Sequence, residues 1–125
     1  ACMGEATDDI TRAVIGCAIR VHGALGSGFL ERIYRRALVV ELSASGLWFE
    51  QEREVRVLYR GIEVGLHRLD LVVEKQVVVE LKTVSALASV HYAQVRSYLR
   101  AMRLETGLLI NFTGSKADFR RVTLP

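Results

Sequence analysis

Apolar residues recur at helical spacing twice in the first third of the chain. In the first segment they lie at i, i+4, i+7 and i+11, which places them on one face of an amphipathic helix. These positions are Ile10, Val14, Cys17 and Val21. Residues 7–9, Thr-Asp-Asp, are expected to cap this helix, and the glycine-rich turn of residues 23–28 is expected to end it. A second amphipathic helix is predicted from about Leu30 to just before Gly46.

The apolar pattern then changes to a period of two, which is typical of half-buried strands. The later segments are, by residue number, strands 49–59, 62–73 and 77–84, a helix over 88–103, and strands 108–112 and 119–124. Hairpin turns are expected at Gly61 and at residues 74–76. The resulting order, ααβββαββ, is a β-meander followed by a helix and further strands. It predicts an α/β or α+β domain with helices packed on a mostly antiparallel sheet.

Length and composition fit one soluble domain. Half of the 125 residues are apolar, which is enough for a core without disulfide or metal cross-links. We expect a single domain over residues 8–125 and a tail over 1–7 that is disordered or left over from cloning. No apolar run approaches the ~20 residues that span a bilayer, and the acidic N-terminus is unlike a signal peptide. With only Cys2 and Cys17, the chain is expected to be cytoplasmic, without a membrane partner.

Arginine carries most of the positive charge. The net charge is +3, and the chain has 14 arginines against 3 lysines. Arginine binds phosphate in a bidentate way, so this composition is compatible with a polyanionic partner, and equally with GC-rich codon usage. Arg96, Arg100 and Arg103 lie at i, i+4 and i+7 on the third helix. This stripe is either a solvated face or a contact for a nucleic-acid backbone.

Candidate chemistry is concentrated on the second and third strands. Glu80 and Lys82 lie two positions apart in a strand, so their side chains project from the same face. Asp70 lies late on the preceding strand, and the turn at residues 74–76 makes the two strands antiparallel neighbours. We therefore expect Asp70 to meet Glu80 and Lys82. An acid two positions before a lysine also arises by chance about once in a chain of roughly this length.

Two carboxylates beside an ammonium group suit phosphate chemistry. Carboxylate oxygens and water are the ligands that Mg²⁺ prefers, and a bound metal acidifies water and neutralises charge on a phosphate. A lysine at that point orients or deprotonates the nucleophile, or stabilises the transition state.

The wider sequence resembles a known group of proteins. Asp…Glu-x-Lys on a β-meander followed by a helix resembles the PD-(D/E)XK nuclease superfamily. Residues 28–34, Gly-Phe-Leu-Glu-Arg-Ile-Tyr, are similar to the motif of the GxxExxY proteins within it. Supporting residues are His22, Gly61, Arg68, Gln94, Tyr98, Leu99 and residues 108–112. The superfamily's name-giving proline is replaced by Leu69. The resemblance covers about residues 8–124 and implies a restriction-endonuclease-like α/β core with an N-terminal helical extension.

The resemblance also implies roles for particular residues. Asp70 and Glu80 correspond to metal ligands, and Lys82 corresponds to the catalytic lysine. Glu31 is similar to a helix-borne acid that completes such a metal site, and its alternative role is to favour the start of its helix through the macrodipole. Gln94 resembles a helix glutamine that lies near the lysine and supports catalysis.

The function implied is hydrolysis of phosphodiester bonds in nucleic acid, in DNA with RNA left open, with Mg²⁺ or Mn²⁺ as cofactor. Arg68 is expected to contact nucleic acid together with the arginine stripe. Two alternatives stay open: a binding module that keeps the nuclease fold without turnover, and a purely structural protein. The small surface is compatible with a homodimer or a protein partner. For Tyr34, His22 and His91, a structural role and a role in the site are both open.

Overall fold

The helices and strands follow the order expected from the hydrophobic pattern. In the computed structural model, which describes residues 3–125, the elements have these bounds: α1 Met3–Leu25, α2 Glu31–Ala44, β1 Phe49–Tyr59, β2 Ile62–Val73, β3 Val77–Lys82, α3 Ser89–Met102, β4 Thr106–Asn111 and β5 Asp118–Thr123. The order ααβββαββ is confirmed. The bounds of β1 and β2 are those predicted, and β3 ends two residues earlier than predicted.

One five-stranded sheet organises the chain, with the strands in the order β1-β2-β3-β4-β5. All neighbouring strands are antiparallel except β3 and β4, which are parallel. Because parallel neighbours need a long crossover, α3 connects β3 to β4 across one face. Positive φ angles at Arg60 and Gly61 form a two-residue hairpin turn, and those at Glu74 and Lys75 lie in the three-residue turn of residues 74–76. Turns of this hand match the right-handed twist of the flanking strands.

Both faces of the sheet are covered, so the central strands are apolar on both sides. One core lies under α1 and α2 and includes Val14, Leu38 and Phe112. A second, smaller core lies under α3 and includes Val95 and Leu99. The consecutive valines of β3 alternate between these two cores, which explains their uninterrupted apolar run.

Helix α1 differs from its predicted bounds at both ends. It begins at Met3, so the cap expected at residues 7–9 is wrong, and the Thr11 hydroxyl donates to the Thr7 carbonyl within the helix at 2.8 Å. It ends at Leu25 because Gly26 adopts a φ of 73° and donates its N–H to the His22 carbonyl. Residues 3–7 of the expected tail are helical, whereas residues 1 and 2 lie outside the described part of the chain.

None of the described helices is long and apolar enough to cross a membrane.

Candidate active site

The pairing of β2 with β3 gives way at Asp70 and Glu80 to bonds made by side chains. Three regular antiparallel pairs come before this point, the last being Leu71 with Val79. At the next position, the Asp70 backbone N–H donates to Glu80 Oε1 at 2.9 Å, and the Leu81 N–H donates to Asp70 Oδ2 at 3.0 Å. Each carboxylate therefore binds the backbone of the other strand, and the two acids are held together where the strands separate.

The side chains of β2 change face at this point. Leu69 packs in the core under α3, whereas Leu71, two residues later, packs in the core under α1 and α2. A regular strand keeps such residues on one face, so the alternation predicted across residues 62–72 breaks at Asp70. Glu52, opposite Asp70 in β1, has a φ of 48°, which is uncommon for a non-glycine residue. The irregularity spans both strands and separates the outer part of the β1–β2 hairpin from the rest of the sheet.

Glu80 is the most buried acid of the site, with 3% of its surface exposed. Burial, and then the negative charge of Asp70, raise the pKa of Glu80 to about 8, although the Asp70 N–H bond and the Lys82 charge act in the opposite direction. Lys82 Nζ lies 3.9 Å from Glu80 Oε2. The structure thus brings together Asp70, Glu80 and Lys82, which the sequence analysis predicted to meet.

Contacts at the ends of β3 and β4 hold Lys82 in place. The Phe112 N–H donates to the Lys82 carbonyl at 3.0 Å and extends the parallel pairing. The Asn111 side-chain amide binds both backbone groups of Val84, accepting from the N–H at 3.1 Å and donating to the carbonyl at 2.8 Å. These contacts fix the chain at Lys82 and two residues after it.

Glu31 reaches the same cluster from the start of α2. Burial, and then the charge of Asp70, raise the pKa of Glu31, whereas the charges of Lys82 and Arg35 act to lower it. These interactions place the Glu31 carboxylate within electrostatic range of the pair. Glu31 lies in the first turn of its helix, and because no three acidic, imidazole or thiol side chains form one group among residues 3–125, its role as a metal ligand stays a prediction.

The glycine-rich loop and Tyr34 explain how Glu31 is positioned. Gly28 has a φ of 103°, a conformation that glycine adopts readily and other residues rarely. The Tyr34 hydroxyl donates to the Gly26 carbonyl at 2.6 Å and accepts the Phe29 N–H at 3.3 Å. The Tyr34 ring is buried and stacks on Phe112, with centroids 4.5 Å apart. Gly28, Glu31 and Tyr34 thus form one structural unit that determines where α2 begins.

Arg35 is a site residue that the sequence analysis missed. Its guanidinium, 21% exposed, lies 3.6 Å from Asp70 Oδ1 and 3.4 Å from Glu52 Oε1. It follows Glu31 by four residues, and positions i and i+4 share one helix face. That spacing is the feature in the sequence that could have identified it.

Tyr98 is the residue of helix α3 that lies near Asp70 and Glu80. Burial, followed by the charges of Glu80 and Asp70, raises the pKa of Tyr98 to about 12, so the phenol lies within electrostatic range of both acids. Gln94 is one turn earlier on the same side of α3. Its backbone carbonyl accepts the Ser97 hydroxyl, and its side chain forms no hydrogen bond with the site residues among those the structure describes.

The arginines predicted to bind nucleic acid lie in different parts of the structure. Arg100 and Arg103 line a groove between α3 and the β1–β2 hairpin, whereas Arg96 does not. Arg68 is exposed on β2 and donates to Glu54 Oε1 at 2.9 Å. Arg103 follows the last residue of α3 as its C-cap, with a φ of 58°, so it does not continue the predicted helical stripe of Arg96 and Arg100. The nucleic-acid role of these arginines stays a prediction.

Both histidines considered at the sequence level have structural partners. His22 is buried, and its Nε2 lies within 3.2 Å of the Phe112 carbonyl and 2.9 Å of the Gly114 carbonyl. Since both partners are acceptors, this nitrogen carries the proton. His91 Nδ1 accepts the Ala88 N–H at 2.9 Å at the start of α3.

The donor set suits a hard divalent cation. Asp70, Glu80 and Glu31 supply carboxylates, while Lys82 and Arg35 supply two positive charges, the second of which is shared with Glu52. Among residues 3–125, no three carboxylate, imidazole or thiol side chains lie close enough to hold one ion together. Mg²⁺ commonly takes one or two carboxylates and completes its shell with water, which fits the close pair Asp70 and Glu80.

Comparisons with known proteins agree with this fold. The family model of the PD-(D/E)XK nuclease superfamily matches residues 8–122. The crystal structure of SSO0001 aligns with a TM-score of 0.56 and 22% identity over 75% of this chain and 50% of that chain. The chain thus spans about half the length of that structure and shares its fold, which is restriction-endonuclease-like. The search of curated proteins returned no match.

Proposed function

The chain belongs to the PD-(D/E)XK nuclease superfamily, and we propose that it hydrolyses phosphodiester bonds in nucleic acid, with DNA as the substrate. The observation that carries this proposal is the reciprocal bonding of Asp70 and Glu80 at the break in the β2–β3 pairing, with the Lys82 ammonium 3.9 Å from Glu80. If this point of the sheet had only a structural role, Leu and Val side chains would fill it without any buried charge. The burial of these charges costs free energy that a structural role does not repay.

In the proposed reaction, the oxygen of water forms a bond to phosphorus while the bond to the leaving ester oxygen breaks. Asp70 and Glu80 would hold Mg²⁺ or Mn²⁺, which when bound supplies an acidified water and neutralises phosphate charge. Lys82 orients the attacking water and stabilises the charge that develops on the phosphate oxygens. Glu31 would support the cluster from α2, Gln94 would contact the substrate or the bound water from α3, and Arg35 balances the charge of Asp70.

Several finer assignments belong to the same proposal. We assign the chain to the GxxExxY group because the glycine, acid and tyrosine of residues 28–34 act as one structural unit at the site. The cytoplasmic location and a homodimer or protein partner stay predictions of the sequence. The alternative function is a module that binds nucleic acid without cleaving it.

A cleavage assay on plasmid, single-stranded DNA and RNA, with Mg²⁺ or Mn²⁺, tests the proposal. Wild type is expected to cleave DNA only with a metal present, and Lys82→Ala is expected to bind with near-normal affinity while turnover falls by at least about 100-fold. Lys75→Ala is the matched control, because Lys75 lies in the turn at the opposite end of β3.

The outcomes separate the candidate functions. Cleavage that Lys82→Ala leaves unchanged would contradict the assigned role of Lys82. Binding of nucleic acid without cleavage at any metal concentration would support the binding module. Cleavage confined to RNA would correct the substrate and leave the site assignment intact.

A further inference from the structure

A pocket of about 340 Å³ lies where the parallel strands β3 and β4 end. The polar and aromatic side chains that line it come from α3, β4, β5 and the connection between the last two, namely Tyr92, Asn111, Lys116, Asp118 and Arg120. Residues 85–87, which lead into α3, close one side. In open α/β sheets, ligands bind in the crevice beyond the carboxyl ends of the strands. The position of this pocket and its size, within the ~300–1,000 Å³ of ligand sites, therefore make it a candidate binding site.

The pocket adjoins the candidate active site through the register of three strands. Lys82 pairs with Asn111 across β3 and β4, and Asn111 pairs with Asp118 across β4 and β5. Leu109 and Val122, at even spacing from Asn111 and Asp118, pack in the core under α3, so the paired residues lie on the sheet face that α3 covers. Because neighbouring strands are ~4.8 Å apart, the pocket begins about one strand spacing from Lys82, on the side away from β2.

Lys116 carries the charge of the pocket that no carboxylate neutralises. Lys82 faces the acids of the candidate site and Lys75 lies over a tryptophan ring, whereas Lys116 has no ion pair or ring contact among residues 3–125. Arg120 is paired within its own strand, its Nε lying 3.1 Å from Asp118 Oδ1. The described lining of the pocket thus has one positive charge without a partner, which matches the single negative charge of one phosphodiester group.

Tyr92 adds an aromatic ring to the wall of the pocket. The ring packs partly against the core under α3, and its hydroxyl forms no hydrogen bond with any residue that the structure describes. The Asn111 amide, by contrast, is already bonded to the backbone of Val84, so it forms a fixed floor. Proteins that bind single-stranded nucleic acid combine aromatic rings, on which bases stack, with cations that contact the phosphates. Tyr92 and Lys116 provide that combination within one pocket.

We propose that this pocket holds one unpaired nucleotide next to the scissile bond, with the base against Tyr92 and the phosphate at Lys116. The substrate is then single-stranded or locally unpaired nucleic acid, because a base in a duplex must leave its pair before it can enter such a pocket. The inference rests on the proposed function for the position of the scissile bond, and it adds the class of substrate.

Fluorescence anisotropy on single-stranded and duplex DNA of one sequence, with Mg²⁺ present, tests the pocket. Tyr92→Leu and Lys116→Gln are each introduced into Lys82→Ala protein, which prevents cleavage. Tyr92→Leu is expected to weaken binding of the single strand about 10-fold, and Lys116→Gln to lower its salt slope by ~0.7, while the weaker binding of duplex stays unchanged. Tyr92→Phe, which keeps the ring and its packing, is expected to retain the affinity. Tyr59→Leu and Lys75→Gln are the matched controls, since Tyr59 lies at the tip of the hairpin and Lys75 in the turn before β3.

Cleavage of an end-labelled single strand that carries one abasic nucleotide locates the pocket relative to the scissile bond. Wild type is expected to cut about 10-fold more slowly at the one bond whose flanking nucleotide lacks its base, and to cut the other bonds normally. In Tyr92→Leu the bonds should differ little from one another. Wild type should cut a duplex of the same sequence only within an unpaired stretch.

Failure of this inference and failure of the proposed function give different results. Effects of Tyr92→Leu and Lys116→Gln no larger than those of their controls would overturn the inference. Metal-dependent cleavage that needs Lys82 and cuts duplex as fast as single strands would reject the pocket and leave the proposed nuclease activity intact. Single-strand binding that depends on Tyr92 and Lys116, without cleavage by wild type, would reject the nuclease activity and keep the pocket as a nucleotide site.

Discussion

Asp70 and Glu80 each use one oxygen to bind the opposite strand, which leaves the other oxygen directed at a positive charge. For Asp70 that charge is Arg35, and for Glu80 it is Lys82. The contacts of Arg35 at 3.6 Å and 3.4 Å are longer than a strong charge-assisted hydrogen bond of about 2.7–2.9 Å. We infer that Arg35 balances the charge of Asp70 without a tight bond, which leaves this carboxylate accessible to a metal.

Replacing Arg35 by alanine is expected to have opposite effects on stability and on metal binding. The metal-free protein should lose roughly 1–3 kcal/mol of unfolding free energy, because a mostly buried carboxylate loses its partner. The affinity for Mn²⁺ should rise, because a positive charge next to Asp70 is removed. Urea unfolding and calorimetric titration with Mn²⁺ measure the two effects.

Arg36→Ala is the matched control for this prediction, since Arg36 is the next residue of α2 and is exposed. It should change neither quantity appreciably. Weaker Mn²⁺ binding in Arg35→Ala would contradict the prediction and would mean that Arg35 organises the metal ligands.

At the scale of elements, the site depends on how α2 starts. The loop of residues 26–30 has positive φ angles at Gly26 and Gly28, and the Tyr34 hydroxyl bridges two of its backbone groups. The first helical residue after this loop is Glu31. The position of that carboxylate therefore depends on a side chain one turn away that faces the core.

Tyr34→Phe is expected to lower the unfolding free energy by about 1–2 kcal/mol, because the Gly26 carbonyl and the Phe29 N–H lose a shared partner. The ring stacking on Phe112 should persist, so the fold should be retained. Urea unfolding measures the stability, and hydrogen exchange over residues 26–31 should show faster exchange in the variant.

Tyr59→Phe provides the comparison, since Tyr59 is two-thirds exposed at the tip of the hairpin. It should leave both the stability and the exchange rates of the loop unchanged. If Tyr34→Phe also leaves the loop protected, the hydroxyl bonds do not set the entry to α2.

At the scale of the whole molecule, the buried acids tie global stability to pH. In the folded protein the pKa of Glu80 is about 8, against an ordinary value of 4.5. Proton binding by this residue therefore stabilises the fold fully below pH 4.5. That contribution is lost as pH rises through the window from 4.5 to 8, because the unfolded chain ionises first.

The metal-free wild type is therefore expected to lose stability from pH 5 to pH 8, with up to about 1.4 kcal/mol per pH unit from this residue. Glu80→Gln should remove most of that slope and be more stable than wild type at pH 8. Mg²⁺ should stabilise wild type at pH 8 by binding the folded state, and should stabilise Glu80→Gln less. Urea unfolding at each pH, with and without Mg²⁺, measures these differences.

Glu105→Gln serves as the control, because Glu105 is exposed after α3. It should keep the wild-type dependence on pH and on Mg²⁺. A slope that persists in Glu80→Gln would assign the pH dependence to other groups.

Most of the fold and the central triplet were predictable because they depend on local spacing. Helical and alternating apolar periods predicted the element order, and two-residue spacing in β3 put Glu80 and Lys82 on one face. The start of α1 was not predictable from residues 7–9. Residues that suit a helix cap do not prevent the helix from extending by another turn toward the N-terminus. The face change at Asp70 was also missed, because side-chain bonds across two strands replaced the backbone ladder there.

The sequence by itself determined the superfamily motif, the strand that carries Glu80 and Lys82, and the helix that carries Glu31. Only the tertiary structure decided that Arg35 meets both Asp70 and Glu52, and that His67 of the hairpin packs against Tyr98 of α3. The physical reason is the distance along the chain over which each kind of information acts. Periodicity reports which face of its own element a residue occupies, whereas these contacts join elements whose relative placement is set by the packing of two separate cores on one sheet.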